Sequence, residues 1–272
     1  MPLVYHYCKL SAALSVLRNQ EIWMTSIRNL NDSNEPIGVY KLFFDRLEQY
    51  DRHRRLEGLY DFARQPRAIA LYGNPLTSSS EYVACFCENP DSVSQWIAYA
   101  DDGRGFAIGF DEEAFRAVDT AEGIEYRAIT YVTEEAIDCC IPPIYDALVQ
   151  KAGADIPELM NMAMAAIKKQ YAIGSSHKTF HYESECEKRF IYNHPTPVTG
   201  LPVGWTAKGL GVYAKTDMLN TYVPLGFPKE AVRAIVTGPK YQSSLYELET
   251  VLTALGYDTD KIALHKSSSG YR

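Results

Sequence analysis

The sequence contains no C-x-x-C pair, no long apolar run and no excess of positive charge. Six cysteines are present (Cys8, Cys85, Cys87, Cys139, Cys140 and Cys186), and their spacing argues against a structural zinc site. No stretch approaches the roughly 18 apolar residues of a membrane-spanning helix. The opening MPLVYHYCKL is too short and too polar for a signal peptide, so the expected compartment is a reducing cytoplasm with no membrane partner. Lys plus Arg is 27 against 34 Asp plus Glu, a net charge of −7 that argues against non-specific nucleic-acid binding over the whole surface. The local run around Arg52, Arg54 and Arg55 reads as a solvated helix face. There is no Walker sequence, no G-x-S-x-G and no D-x-D-x-D-G calcium loop. Gly103-Arg104-Gly105 does not follow a strand and open a helix, so a dinucleotide-binding Rossmann reading fails.

What remains is an ordinary globular composition, 46% hydrophobic and 22% charged, with 20 tyrosines. Strands are expected at residues 3–8, 21–25, 82–88, 106–110, 124–132, 210–214, 231–237 and 261–265. Helices are expected at 11–19, capped by Ser11, and at 37–60, 92–100 and 243–256. Residues 134–174 read as a mostly helical insertion, interrupted at Pro142-Pro143 and near Pro157. No linker divides the chain, so 1–272 is taken as one α+β domain: a split or bent mixed sheet with packed helices and a central cleft.

The most informative stretch is HKTFHYESECEKRFIYN, residues 177–193. Read as a strand, it puts Glu183, Glu185, Glu187 and Arg189 on one face and Tyr182, Ser184, Cys186, Lys188 and Phe190 on the other. Three carboxylates and one guanidinium on a face are costly unless the face is wet or working. One carboxyl should be pushed upward unless Arg189 or a bound cation offsets the repulsion. The plain alternative is a solvent-facing edge strand.

Other candidate groups are scattered. His6 lies mid-strand between Tyr5 and Tyr7, where it could bond a ligand hydroxyl or be a satisfied structural residue. Asn31 and Asp32, with Glu35, could cap the following helix or, with Thr25, offer polar groups to a ligand. Trp96 and Tyr99 read as sharing one helix face, in a ligand site or in the core.

Taken together, these residues resemble a bacterial domain family of unknown function. The motifs are Tyr5 to Tyr7, Trp23 to Thr25, Asn31-Asp32 with Glu35, and Ala84 to Phe86. Trp96 to Ala100, Gly105 to Phe110 and Glu185 to Arg189 complete the set, and Lys178 and Tyr182 stand where that family tends to carry a lysine and an aromatic. The layout is also similar to the NAD-dependent ADP-ribosyltransferases. That second resemblance implies NAD as substrate and an acceptor that is a protein or a nucleic acid. It also implies a bacterial toxin or anti-phage defence effector, with a possible antitoxin or immunity partner. Under it, Glu187 and Glu185 are the catalytic carboxylates. His6, Tyr7, Thr25, Asn31, Asp32, Trp96, Tyr99 and Arg189 form the NAD side of the site. Tyr82, Trp96 and Tyr99 compete to stack on nicotinamide, and Arg189 either holds pyrophosphate or pairs with a carboxylate on its own face. Two other classes stay open. One is a binding module without catalysis; the other is a divalent-metal nuclease using Asp32, Glu185 and Glu187.

Overall fold

The computed structural model describes residues 2–30, 35–54, 81–116, 124–151, 158–159, 161–163, 165–166, 176–193, 210–215 and 218–271. Among these residues, ten strands form one mixed sheet in the order β12 (Ala263–Lys266), β11 (Val232–Thr237), β4 (Phe106–Asp111), β1 (Leu3–Cys8), β3 (Glu81–Cys87), β2 (Glu21–Ser26), β10 (Met218–Gly226) and β9 (Gly211–Lys215), with β8 (Glu187–Asn193) pairing both β3 and β5 (Ile124–Ala128) outside that path. The strands that matter for the site are β1 (Leu3–Cys8), β2 (Glu21–Ser26), β3 (Glu81–Cys87), β4 (Phe106–Asp111), β5 (Ile124–Ala128) and β8 (Glu187–Asn193). The architecture is α+β, and all the pairings in this sheet are antiparallel except β11 (Val232–Thr237) with β12 (Ala263–Lys266).

The sheet forks at β3. One edge of β3 is paired along its whole length with β8, from Glu81↔Asn193 to Cys87↔Glu187. The other edge is shared: β2 takes its beginning at Thr25↔Val83 and Ser26↔Tyr82, and β1 takes its end at Tyr5↔Cys87. The first strand and the acidic strand are therefore not neighbours in the sheet; β3 separates them.

Side-chain alternation fixes what each face does. Val4 and Cys8 enter the main core with Phe86, Ile108, Phe110 and Phe190, while Tyr5 and Tyr7 pack on the other side with Cys87, Trp96 and Ala100. Every residue of β4 is buried, as expected of a strand covered on both faces, and the short α4 (Glu112–Arg116) follows it directly. α1 (Leu10–Asn19) closes the wedge between β1 and β2 with Ala13, Val16 and Leu17. Its N-cap is Lys9, without a side-chain capping bond, and not Ser11.

The turn after α3 (Val93–Tyr99) holds Asp101, Asp102 and Gly103 at φ of 51°, 55° and 83°. A side chain at Gly105 would meet the Cys8 carbonyl at 2.2 Å, so the chain can only pass there as glycine.

A helical layer stands beside the sheet. α2 (Glu35–Arg54) and α5 (Glu134–Val149) bury Val39, Phe43, Phe44 and Leu47 against Ile137, Ile141, Tyr145 and Leu148, a core of their own. α5 runs straight through Pro142-Pro143, where the sequence predicts a break. Each proline removes an intrahelical bond at a cost of about 3 kcal/mol, but the apolar stripe from Ile137 to Leu148 holds the helix in place. The expected strand at 124–132 is also two strands: β5 joins β8, and β6 (Thr130–Val132) pairs in parallel with β7 (His177–Thr179) in a separate two-stranded sheet. The expected continuation of α2 past Arg54 and the break near Pro157 lie outside the described residues. No helix among the described residues is long and apolar enough to cross a membrane.

Candidate active site

The acidic stretch does not form one strand. Phe180–Glu185 is a 3-10 turn, Cys186 adopts the left-handed conformation at φ 43°, and β8 starts only at Glu187. Glu183 and Glu185 thus leave the face expected of them, and Glu183 is exposed. The turn folds Glu185 back beside Glu187.

A four-residue charge network results. The Lys178 ammonium lies 2.7 Å from Glu185 Oε2 and 2.6 Å from Glu187 Oε2. Arg189 grips Glu187 with both arms, Nε to Oε1 at 2.6 Å and a terminal nitrogen to Oε2 at 3.0 Å. Side-chain exposure is 2% for Lys178, 6% for Glu187 and 1% for Arg189, but 18% for Glu185. Two cations and two anions balance. Burial by itself would raise the Glu187 carboxyl, yet Arg189 and Lys178 outweigh it and hold it at about 2. The backbone N–H of Glu187 donates to the Tyr131 hydroxyl at 2.8 Å. Lys178 also lies 5.2 Å from the centre of the Tyr182 ring.

In front of this network lies a small pocket, open to solvent. Its walls are His6 and Tyr7 from β1, Cys85, Phe86 and Cys87 from β3, and Gln95 and Tyr99 from α3. Glu185 and Glu187 complete it. The fork in the sheet exposes the Cys85 carbonyl, which accepts a 3.0 Å hydrogen bond from His6 Nδ1. Burial lowers the His6 pKa, so the ring is neutral; with Nδ1 donating, Nε2 is left as an acceptor. Burial also pushes the Tyr7 and Tyr99 hydroxyls well above the ordinary phenol range, and the Cys87 thiol up to about 11. No lysine or arginine is among the described lining residues.

Residues 95–190 match the family model described as "Protein of unknown function (DUF2971)". That region begins inside α3 and ends within β8, so it carries Gln95, Tyr99, Glu185 and Glu187 but not His6. No curated protein and no solved structure matches the chain.

Of the residues expected in a site, His6, Tyr7, Tyr99, Glu185 and Glu187 line one pocket. Arg189 sits behind Glu187 as its ion-pair partner. Trp96 is fully buried, edge-on to Tyr7 at 4.7 Å, and its indole N–H donates to Asp91. It belongs to the core, as Tyr82 does, and neither lines the pocket. Thr25 is a β2 ladder residue paired with Val83 and Tyr222 and is not in the lining. Asn31 and Asp32 lie outside the described residues. The sequence reading missed Gln95, which occupies the same helix face as Tyr99 at a spacing of four. It also missed Cys85 and Cys87 as pocket walls. No group of three or more His, Cys, Asp or Glu suited to a metal ion occurs among the described residues.

Proposed function

We propose that this chain is an NAD-consuming ADP-ribosyltransferase acting on a protein or nucleic-acid acceptor. The observation that carries the reading is the meeting of His6 with Glu185 and Glu187 in one pocket, with no lysine or arginine among its described lining residues. Such a lining suits the positively charged nicotinamide–ribose end of NAD and disfavours its pyrophosphate, which would lie outside.

In this reading the glycosidic C–N bond breaks and its electron pair leaves with nicotinamide. Positive charge develops on the sugar carbon, where a nearby carboxylate is worth more in the transition state than in the ground state. His6 Nε2 accepts a hydrogen bond from a sugar hydroxyl. In this reading Tyr99, an aromatic wall of the pocket, lies against the nicotinamide ring. The acceptor attacks the same carbon and gives its proton to Glu185, the more accessible carboxylate. A role as a toxin or defence effector, with an antitoxin or immunity partner, would follow from this activity.

One observation favours a second reading, a non-catalytic binding module. Both oxygens of Glu187 are already engaged by Arg189 and Lys178, which makes the network self-sufficient. The same engagement weighs against a metal nuclease, since a divalent ion would have to displace two cations. Release of nicotinamide from NAD, with and without EDTA and beside a nucleic-acid cleavage assay, tests all three. Chelator-insensitive release supports the transferase. Chelator-sensitive cleavage supports the nuclease, and silence in both assays supports the binding module.

A further inference from the structure

One wall of the pocket is a helix of only seven residues, α3, whose N-cap Ser92 makes no side-chain capping bond. So short a helix has little stability of its own, and its position depends on what holds its ends. Both ends are held by the same segment, residues 267–271, which follows the last strand.

At the first end, Asp91 accepts four hydrogen bonds. Oδ1 takes the Trp96 indole N–H at 2.7 Å and the Ser267 hydroxyl at 2.6 Å. Oδ2 takes the Ser268 backbone N–H at 2.7 Å and its hydroxyl at 2.9 Å. At the other end, Asp102 accepts the Tyr271 hydroxyl and the Lys240 ammonium, and Lys240 lies 4.2 Å from the Tyr271 ring centre. The segment is stiffened internally: the Ser269 N–H donates to the Ser267 hydroxyl and the Tyr271 N–H to the Ser269 hydroxyl. Two aspartates thus bracket α3, and one strand-exit segment fastens both. From Asp91 the line to the pocket is short. Trp96 packs on Tyr7, whose hydroxyl donates to the Asn89 carbonyl and accepts from the Ser92 N–H, and Tyr7, Gln95 and Tyr99 are pocket walls.

We infer that Asp91 is a positioning residue for the pocket, and that Ser267 and Ser268 act through it as a strap that sets where α3 places Gln95 and Tyr99. The inference rests on the pocket being the working site, whatever reaction occurs in it. Its test therefore needs no turnover: the alkylation rates of individual cysteines by iodoacetamide, read by mass spectrometry. Cys85 and Cys87 report the pocket, and Cys140, buried in the separate helical core, reports general loosening.

The double variant Ser267→Ala/Ser268→Ala is expected to speed labelling of Cys85 and Cys87 by about tenfold, the scale of losing one or two hydrogen bonds in a local opening. Cys140 should keep its rate. Asp91→Asn should do the same, and Ser267→Thr/Ser268→Thr, which keeps both hydroxyls, should restore the slow rate. Unchanged labelling of Cys85 and Cys87 overturns the inference. So does a rise matched at Cys140, or a threonine variant that labels as fast as the alanine one. If nicotinamide release is present, a rise in KM larger than the fall in kcat would mark the same displacement of the wall.

Discussion

The Lys178 ammonium and the Glu187 carboxylate meet at 2.6 Å with both side chains almost sealed from water. A buried pair of this kind holds only while all its partners are present. Lys178→Met leaves Glu185 and Glu187 close together, with Arg189 as their remaining cation among the described residues. The expected loss is about 3–5 kcal/mol of folding stability, read from urea unfolding. Lys178→Met combined with Glu185→Gln restores the charge balance and should recover part of that loss. Equal stability for the single and double variants would show that Glu185 is not part of the network.

The two carboxylates should separate in their effects. Glu187→Gln is expected to lower nicotinamide release by about a hundredfold or more, the scale of losing one preorganised electrostatic contact. It should also destabilise the fold, because Arg189 and Lys178 then face a neutral group in place of the Glu187 charge. Glu185→Gln should cost less stability, because Glu185 is the more exposed partner of Lys178, and should weaken transfer to the acceptor more than cleavage of NAD. Full NAD cleavage by Glu187→Gln would remove that residue from the reaction.

Acid should weaken the protein in two windows. His6 and His177 both have lowered pKa values, chiefly through burial, so the folded state holds fewer protons than the unfolded one. Their contribution is complete above the ordinary imidazole range, about 6.5, and is lost as pH falls through the lower folded values. Glu187 is depressed from 4.5 to about 2, so its contribution is complete above 4.5 and is lost as pH falls towards 2. Urea midpoints measured from pH 8 to pH 2 should therefore fall in both windows. His6→Asn should shrink the first and leave the second in place.

Gly105→Ala should cost about 1–3 kcal/mol, the range for forcing extra volume into a packed site. The added carbon would meet main chain at Cys8, which no side-chain rotation can relieve. A thermal midpoint equal to that of the parent protein would contradict this.

How much of this was legible depended on whether the signal was local. Strands β1, β2, β3 and β4 follow from alternation and β-branched or aromatic content, and their ends fall within a residue or two of expectation. The S-E-C-E run around Glu185 was misread because alternating charge imitates a strand, while the left-handed turn at Cys186 ends the strand pattern there. Of the extended run expected from residue 177, β7 keeps only three residues, held by parallel pairing with β6, a partner that no local signal names. Trp96 was grouped with Tyr99, but the helix sends Gln95 and Tyr99 to the pocket and Trp96 inward. The convergence of His6 with the two glutamates required the fork at β3, which is a property of three pairings at once.

The bond from His6 to the Cys85 carbonyl sets a rule for any guest. A main-chain carbonyl can only accept, and no substitution at position 85 removes it, so the proton on Nδ1 is fixed by the backbone rather than by a replaceable neighbour. The imidazole can then offer a guest only a lone pair. Compounds that differ by a single methyl cap on a hydroxyl should be told apart here, because the capped form brings a second acceptor to face the first.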